Sequence, residues 1–140
     1  MITRRRAGLV LASVVLAVVG SGTSAGQADL RQVEIRVTER HGVIKFQFYR
    51  QEHPGTSAMV PAKAHRLMVL RADESPASWM IEAPRDGGAL EVTYGDLPEG
   101  FRQGIPNDDF APPLEPHTTY VVSVIFVAGY GSTTFRYSGR

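Results

Sequence analysis

The chain contains 140 residues, with 15 basic and 14 acidic side chains, a formal net charge of +1 and no cysteine. A sequence without thiols excludes disulfides, cysteine nucleophiles and zinc–thiolate sites. The basic residues are scattered among acidic ones and do not form the patch that binding to nucleic-acid phosphates requires, so we predict no nucleic-acid partner.

The N-terminus has the pattern of a secretory signal peptide. Arginines at positions 4–6 precede an apolar run from Ala7 to Val19. This run has 13 residues, whereas crossing a bilayer takes about 20. Small residues follow, and we predict cleavage after Ala28, with Ala25 as the alternative. We therefore expect export to the periplasm or the extracellular space, with no stable membrane anchor after cleavage.

Residues 29–140 are predicted to form a single domain. Removing the first 28 of 140 residues leaves 112, which is an ordinary size for one domain. The removed segment carries three of the 15 basic residues, so the formal charge moves from +1 to −2. Because no disulfide is available, stability must come from the burial of apolar side chains.

The first half of this domain reads as five strands. Alternation with period two predicts strands over Val33–Thr38 and Ile44–Tyr49, joined as a hairpin by a tight turn. The apolar run Leu67–Leu70 predicts a central strand. Shorter apolar segments predict strands at Trp79–Ile81 and Leu90–Tyr94.

A proline-rich stretch separates these strands from the last two. Gly95–His117 contains five prolines and is predicted to be the longest loop. Tyr120–Val127 is the most strongly β-forming segment of the chain, and Thr133–Tyr137 follows it after a glycine turn. Seven strands without a helical segment predict an all-β, antiparallel, immunoglobulin-like sandwich.

One segment before the sixth predicted strand resembles fibronectin type III domains. Its residues at every second position are Leu114, Pro116, Thr118, Tyr120, Val122 and Val124. In that family the tyrosine forms a corner, so the resemblance gives Leu114, Pro116 and Tyr120 a structural role at the corner. Gly131 also matches a glycine before the last strand of such domains. Trp79 departs from the pattern, because the family's tryptophan usually lies in the second strand, and a generic immunoglobulin-like domain stays open as the alternative.

A second resemblance points to an exported bacterial protein. The residues that carry it are Tyr94, Gly95, Pro98, Gly100, Phe101, Gln103 and Pro106. They are similar to a stretch found in short exported bacterial proteins of uncharacterised function. This resemblance agrees with the signal peptide and implies no activity.

Candidate catalytic and metal-binding groups are scattered. Four histidines, His41, His53, His65 and His117, lie in or beside separate predicted turns, so we predict no metal site and no cofactor. No nucleophile motif is present, and we assign no catalytic residue. The alternative is a small exported hydrolase that uses His117 with two of the three carboxylates of Asp108, Asp109 and Glu115. This alternative requires these groups to converge in one pocket.

Three apolar side chains in the long loop are the candidate binding residues. Phe101, Ile105 and Phe110 stand among glycines and prolines. They either fold back to close the end of the sandwich or form a surface for a partner. In the second case we predict an interaction module that binds another envelope protein, a peptide or a glycan. In the first case, the binding surface is expected on strand faces around Tyr49, Thr93 and Arg136.

Overall fold

A computed structural model describes residues 10–16, 32–73, 77–84, 86–107, 110–127 and 129–139. These residues form ten strands and no helix. The strands in chain order are β1 Val10–Leu16, β2 Val33–Arg40, β3 Val43–Gln51, β4 Met59–Pro61, β5 Ala64–Arg71, β6 Trp79–Glu82, β7 Glu91–Thr93, β8 Arg102–Ile105, β9 Thr118–Phe126 and β10 Gly129–Tyr137. Within the described ranges there is accordingly no helix long and apolar enough to cross a membrane.

The strands form two antiparallel five-stranded sheets. The first sheet has the order β1-β2-β3-β4, with β7 also pairing with β3, and the second has the order β10-β9-β5-β6-β8. The β2–β3 hairpin turns at His41 and Gly42, which have positive φ angles of 51° and 76°. Two successive positive φ angles are what a two-residue type I′ turn requires. The all-β prediction is confirmed.

The core lies between the two sheets. Alternate residues of β2 and β9 are buried, which is the period-two pattern of a sheet with one covered face. Phe46 and Phe48 of the first sheet meet Phe135 and Phe126 of the second in edge-to-face contacts, with ring centroids 5.6 and 5.9 Å apart. These aromatic pairs add specific contacts to the burial of apolar area. The fold is a β-sandwich.

The seven predicted strands are all present, as β2, β3, β5, β6, β7, β9 and β10. The prediction of an uninterrupted loop over Gly95–His117 is wrong, because Arg102–Ile105 forms β8 and pairs with β6. This strand lies at the outer edge of the second sheet, where flanking prolines cost no ladder hydrogen bond. Ile105 thus ends a strand rather than standing in a loop.

The first strand falls within the predicted signal peptide. The backbone of Val10–Leu16 pairs antiparallel with Val33–Glu39. The rest of the predicted signal, including both cleavage positions, lies outside the described residues. Cleavage after Ala28 stays a prediction, and it would remove β1 from the first sheet.

Candidate functional site

An apolar groove runs over the outer face of the second sheet. It has a volume of about 410 Å³. Its lining comes from β5, β9 and the β9–β10 hairpin and consists of Arg66, Met68, Ser123, Val124, Ile125, Phe126, Val127, Gly129 and Tyr130. The register explains this convergence, since Arg66 and Tyr130 both lie directly opposite Ile125.

Three large apolar side chains of the groove are exposed beside one another. Ile125 is 44% exposed, Tyr130 54% and Val127 84%. Ile125 and Tyr130 form a cross-strand pair, and Val127 lies two residues after Ile125, in the turn between β9 and β10. Single exposed apolar residues are normal on a protein surface, whereas a contiguous group marks a site of interaction. This group is our candidate binding surface.

A row of charged side chains borders the groove on one side. Arg66, Glu82 and Arg102 lie opposite one another on β5, β6 and β8. Glu82 accepts a hydrogen bond from Arg102 Nη2 at 2.9 Å. The buried Nε of Arg66 has no hydrogen-bond partner and lies 3.7 Å from Glu82 Oε2. The groove therefore has an apolar floor with charged side chains along one side, and an apolar centre with polar groups at its border is typical of protein-binding patches.

The three predicted binding residues, Phe101, Ile105 and Phe110, differ in burial. Phe101 is 8% exposed and belongs to the core. Ile105 is half-buried at the end of β8, whereas Phe110 is 90% exposed. Phe101 thus folds back into the core, which is the first of the two predicted alternatives. Of the three side chains, Phe110 is the one that is mostly exposed to solvent.

Tyr120 is buried at the start of β9 and is 3% exposed. Its hydroxyl accepts a hydrogen bond from the backbone amide of Glu115 at 2.8 Å. Its ring stacks on Phe135, with centroids 5.6 Å apart. Leu114 packs against the core, and Pro116 is exposed in the turn before the strand. The tyrosine therefore ties the end of the long loop to the strand that follows it.

The long loop is also held by Tyr94. Its hydroxyl donates a hydrogen bond to the carbonyl oxygen of Pro112 at 2.7 Å, and its ring meets Trp79 edge-on at 4.9 Å. Burial, with a smaller contribution from Tyr120, raises the pKa of Tyr94 to about 12. Trp79, fully buried, donates its indole proton to Gln103 at 2.8 Å. These bonds fix the loop and β8 to the core.

The groups proposed for a hydrolase are not assembled in the described part of the chain. His117 is exposed, and Glu115 pairs with Arg71 Nη1 at 2.8 Å. Asp108 and Asp109 lie outside the described residues. Where the structure describes the chain, no three His, Asp or Glu side chains form a group that could hold a metal ion.

The four histidines, predicted to lie in or beside turns, differ in their surroundings. His65 lies in β5, at an irregularity in its pairing with β9, and its Nε2 is buried without a hydrogen-bond partner. His41 and His53 are exposed, as predicted for turn residues. No histidine lines the groove.

Comparison with known proteins gives no match. No family model matches the chain, and neither the curated proteins nor the solved structures contain a significant match. The class that the structure itself defines is a β-sandwich domain with an exposed apolar groove.

Proposed function

We propose that the chain is an exported interaction module, an immunoglobulin-like domain of the fibronectin type III kind that binds another protein. The binding surface is the groove over β5, β9 and the β9–β10 hairpin. The observation that carries this proposal is the exposed group formed by Ile125, Val127 and Tyr130. Covering these side chains would remove their apolar surface from water, which is the main favourable term in most protein association.

The chemistry of the groove favours a protein or peptide ligand over a glycan. Its lining includes methionine, valine and isoleucine side chains, and its exposed aromatic ring is that of Tyr130, since Phe126 is buried in the core. Methionine side chains adapt to irregular apolar partners, and tyrosine is enriched where proteins meet. The groove offers few polar groups to a sugar, since its polar side-chain groups are those of Arg66 and Ser123 and the hydroxyl of Tyr130.

The immunoglobulin-like assignment rests on strand order and on one hydrogen bond. Of the seven predicted strands, the first, second and fifth lie in one sheet, and the third, fourth, sixth and seventh lie in the other. Immunoglobulin-like sandwiches likewise separate their first, second and fifth strands from their third, sixth and seventh. The fourth strand differs from the constant-type arrangement, because it pairs with the third. The bond from the Glu115 amide to the Tyr120 hydroxyl supports a tyrosine corner at the expected strand.

Site-specific photo-crosslinking in the producing cells tests the proposed surface. A benzoylphenylalanine residue replaces Tyr130 in one variant and Leu97 in the control, because these side chains are similarly exposed at 54% and 49%. We expect a discrete protein adduct from position 130 that is absent from position 97. Equal labelling from both positions, or none from position 130, would contradict the proposal.

A further inference from the structure

The outer edge of β2 is covered by a strand that export would remove. In the structure Val10–Leu16 pairs with β2 along Val33–Glu39. This inference rests on the proposed export, in which cleavage after Ala28 takes β1 away with the signal peptide. The mature chain would then end its first sheet at β2, a strand of eight residues without proline.

The freed backbone groups can be assigned from the ladder between β2 and β3. Gln51 donates its amide proton to the carbonyl oxygen of Gln32 at 2.8 Å, which directs the even-numbered residues of β2 towards β3. In an antiparallel strand the backbone groups of successive residues point to opposite sides. Val33, Ile35 and Val37 therefore direct their N–H and C=O groups towards β1. Once β1 is removed, this row is a template for another strand.

The charges on β2 are complementary to their own copy. Glu34 and Arg36 lie on the outer face of the strand, and Arg36 Nε is 2.7 Å from Glu34 Oε1. When two β2 strands pair antiparallel about a two-fold axis through Ile35, Glu34 of each copy lies opposite Arg36 of the other. Val33 then lies opposite Val37, so the residues that direct their N–H and C=O groups to the free edge of one strand lie opposite the same kind of residue in the other.

The neighbouring registers are disfavoured by the same charges. When the two-fold axis moves by one residue, it passes through Arg36 in one direction and through Glu34 in the other. The first register places the two Arg36 side chains opposite each other, and the second does the same with the two Glu34 side chains. Like charges directly opposite one another destabilise a sheet, whereas opposite charges stabilise it. The charge pattern thus selects one two-fold pairing, and a two-fold interface is the commonest kind in homodimers.

We infer that the mature domain forms a homodimer by antiparallel pairing of β2 with β2 of a second copy, in the register that places Glu34 opposite Arg36. The pairing joins the two first sheets into one continuous sheet. It leaves the groove on the second sheet of each copy open, so the dimer presents two binding surfaces.

The test uses protein expressed as the full chain and recovered after export. Intact mass first establishes whether the chain begins near Asp29, because an uncleaved chain would refute the proposed export and not the pairing. Sedimentation then gives the oligomeric state. We expect a dimer from the processed chain. A processed chain that is monomeric at high concentration would overturn the inference.

Charge reversal tests the register. Glu34→Arg places arginine opposite Arg36 in both symmetric pairs, and we expect the dimer dissociation constant to rise at least about tenfold. The double reversal Glu34→Arg/Arg36→Glu restores complementarity and is expected to restore dimerisation. Fluorescence of the buried Trp79 checks that each variant is folded. Equal dimerisation of all three proteins would contradict this register.

Discussion

Replacing Tyr120 by phenylalanine tests the anchoring of the long loop. The change keeps the ring that stacks on Phe135 at 5.6 Å and removes the hydroxyl that the Glu115 amide binds at 2.8 Å. Because Tyr120 is 3% exposed, water replaces this bond poorly. Loss of a hydrogen bond at such a site costs about 1 to 2 kcal/mol of unfolding free energy.

Urea unfolding followed by Trp79 fluorescence measures this cost. At an m-value of about 2 kcal/mol/M, the midpoint should fall by about 0.5 to 1 M. Tyr130→Phe is the matched control, since Tyr130 is 54% exposed and its hydroxyl loss should change the free energy of unfolding by less than about 0.5 kcal/mol. A Tyr120→Phe midpoint equal to that of the parent would refute the anchoring role.

Three further predictions concern the loop, a tyrosine and the processing site. Phe101→Ala should lower the free energy of unfolding by about 3 to 5 kcal/mol because it empties a core position. Phe110→Ala should change this free energy by less than about 0.5 kcal/mol. Similar urea midpoints for both variants would contradict the burial of Phe101. Burial raises the pKa of Tyr94 from 10.0 to about 12, so the stability that its protonated form contributes is complete below pH 10 and is lost as the pH rises through about 12. Tyr94→Phe should therefore reduce the fall of the urea midpoint at alkaline pH. An unchanged fall would contradict the raised pKa of Tyr94. Intact mass of the exported protein should correspond to a chain that begins near Asp29, and a chain beginning at Met1 would refute the signal peptide.

The strands were predictable where period-two alternation is strong. Val33–Thr38 and Ile44–Tyr49 alternate because one face of each is buried, and the structure places both in the first sheet. β8 was missed because its four residues include Gly104 and precede Pro106. Gly104 allows close packing, since a Cβ added there would overlap the methyl group of Met80. Such a strand is specified by its neighbour in the sheet rather than by its own pattern.

The candidate groove was only partly visible in the sequence. Val121, Ile125 and Val127 alternate with the buried residues of β9, which shows that this strand is apolar on both sides. Met68 and Tyr130 join them only through the pairing of β5 and β10 with β9, and strand register depends on the whole sheet. Apolar residues in a proline-rich segment predict a binding surface equally well, yet Phe101 is in the core.

The affinity of the crosslinked partner for two matched variants tests the binding surface most directly. The groove variant is Val127→Ser/Tyr130→Ser, and the control is Leu90→Ser/Leu97→Ser, which removes two leucines that are each 49% exposed outside the groove. We predict that the groove variant binds at least about tenfold more weakly than the parent, because central apolar and aromatic contacts carry most binding energy. The control should bind within about twofold of the parent. Parent-like affinity of the groove variant, or equal weakening of both variants, would contradict the account.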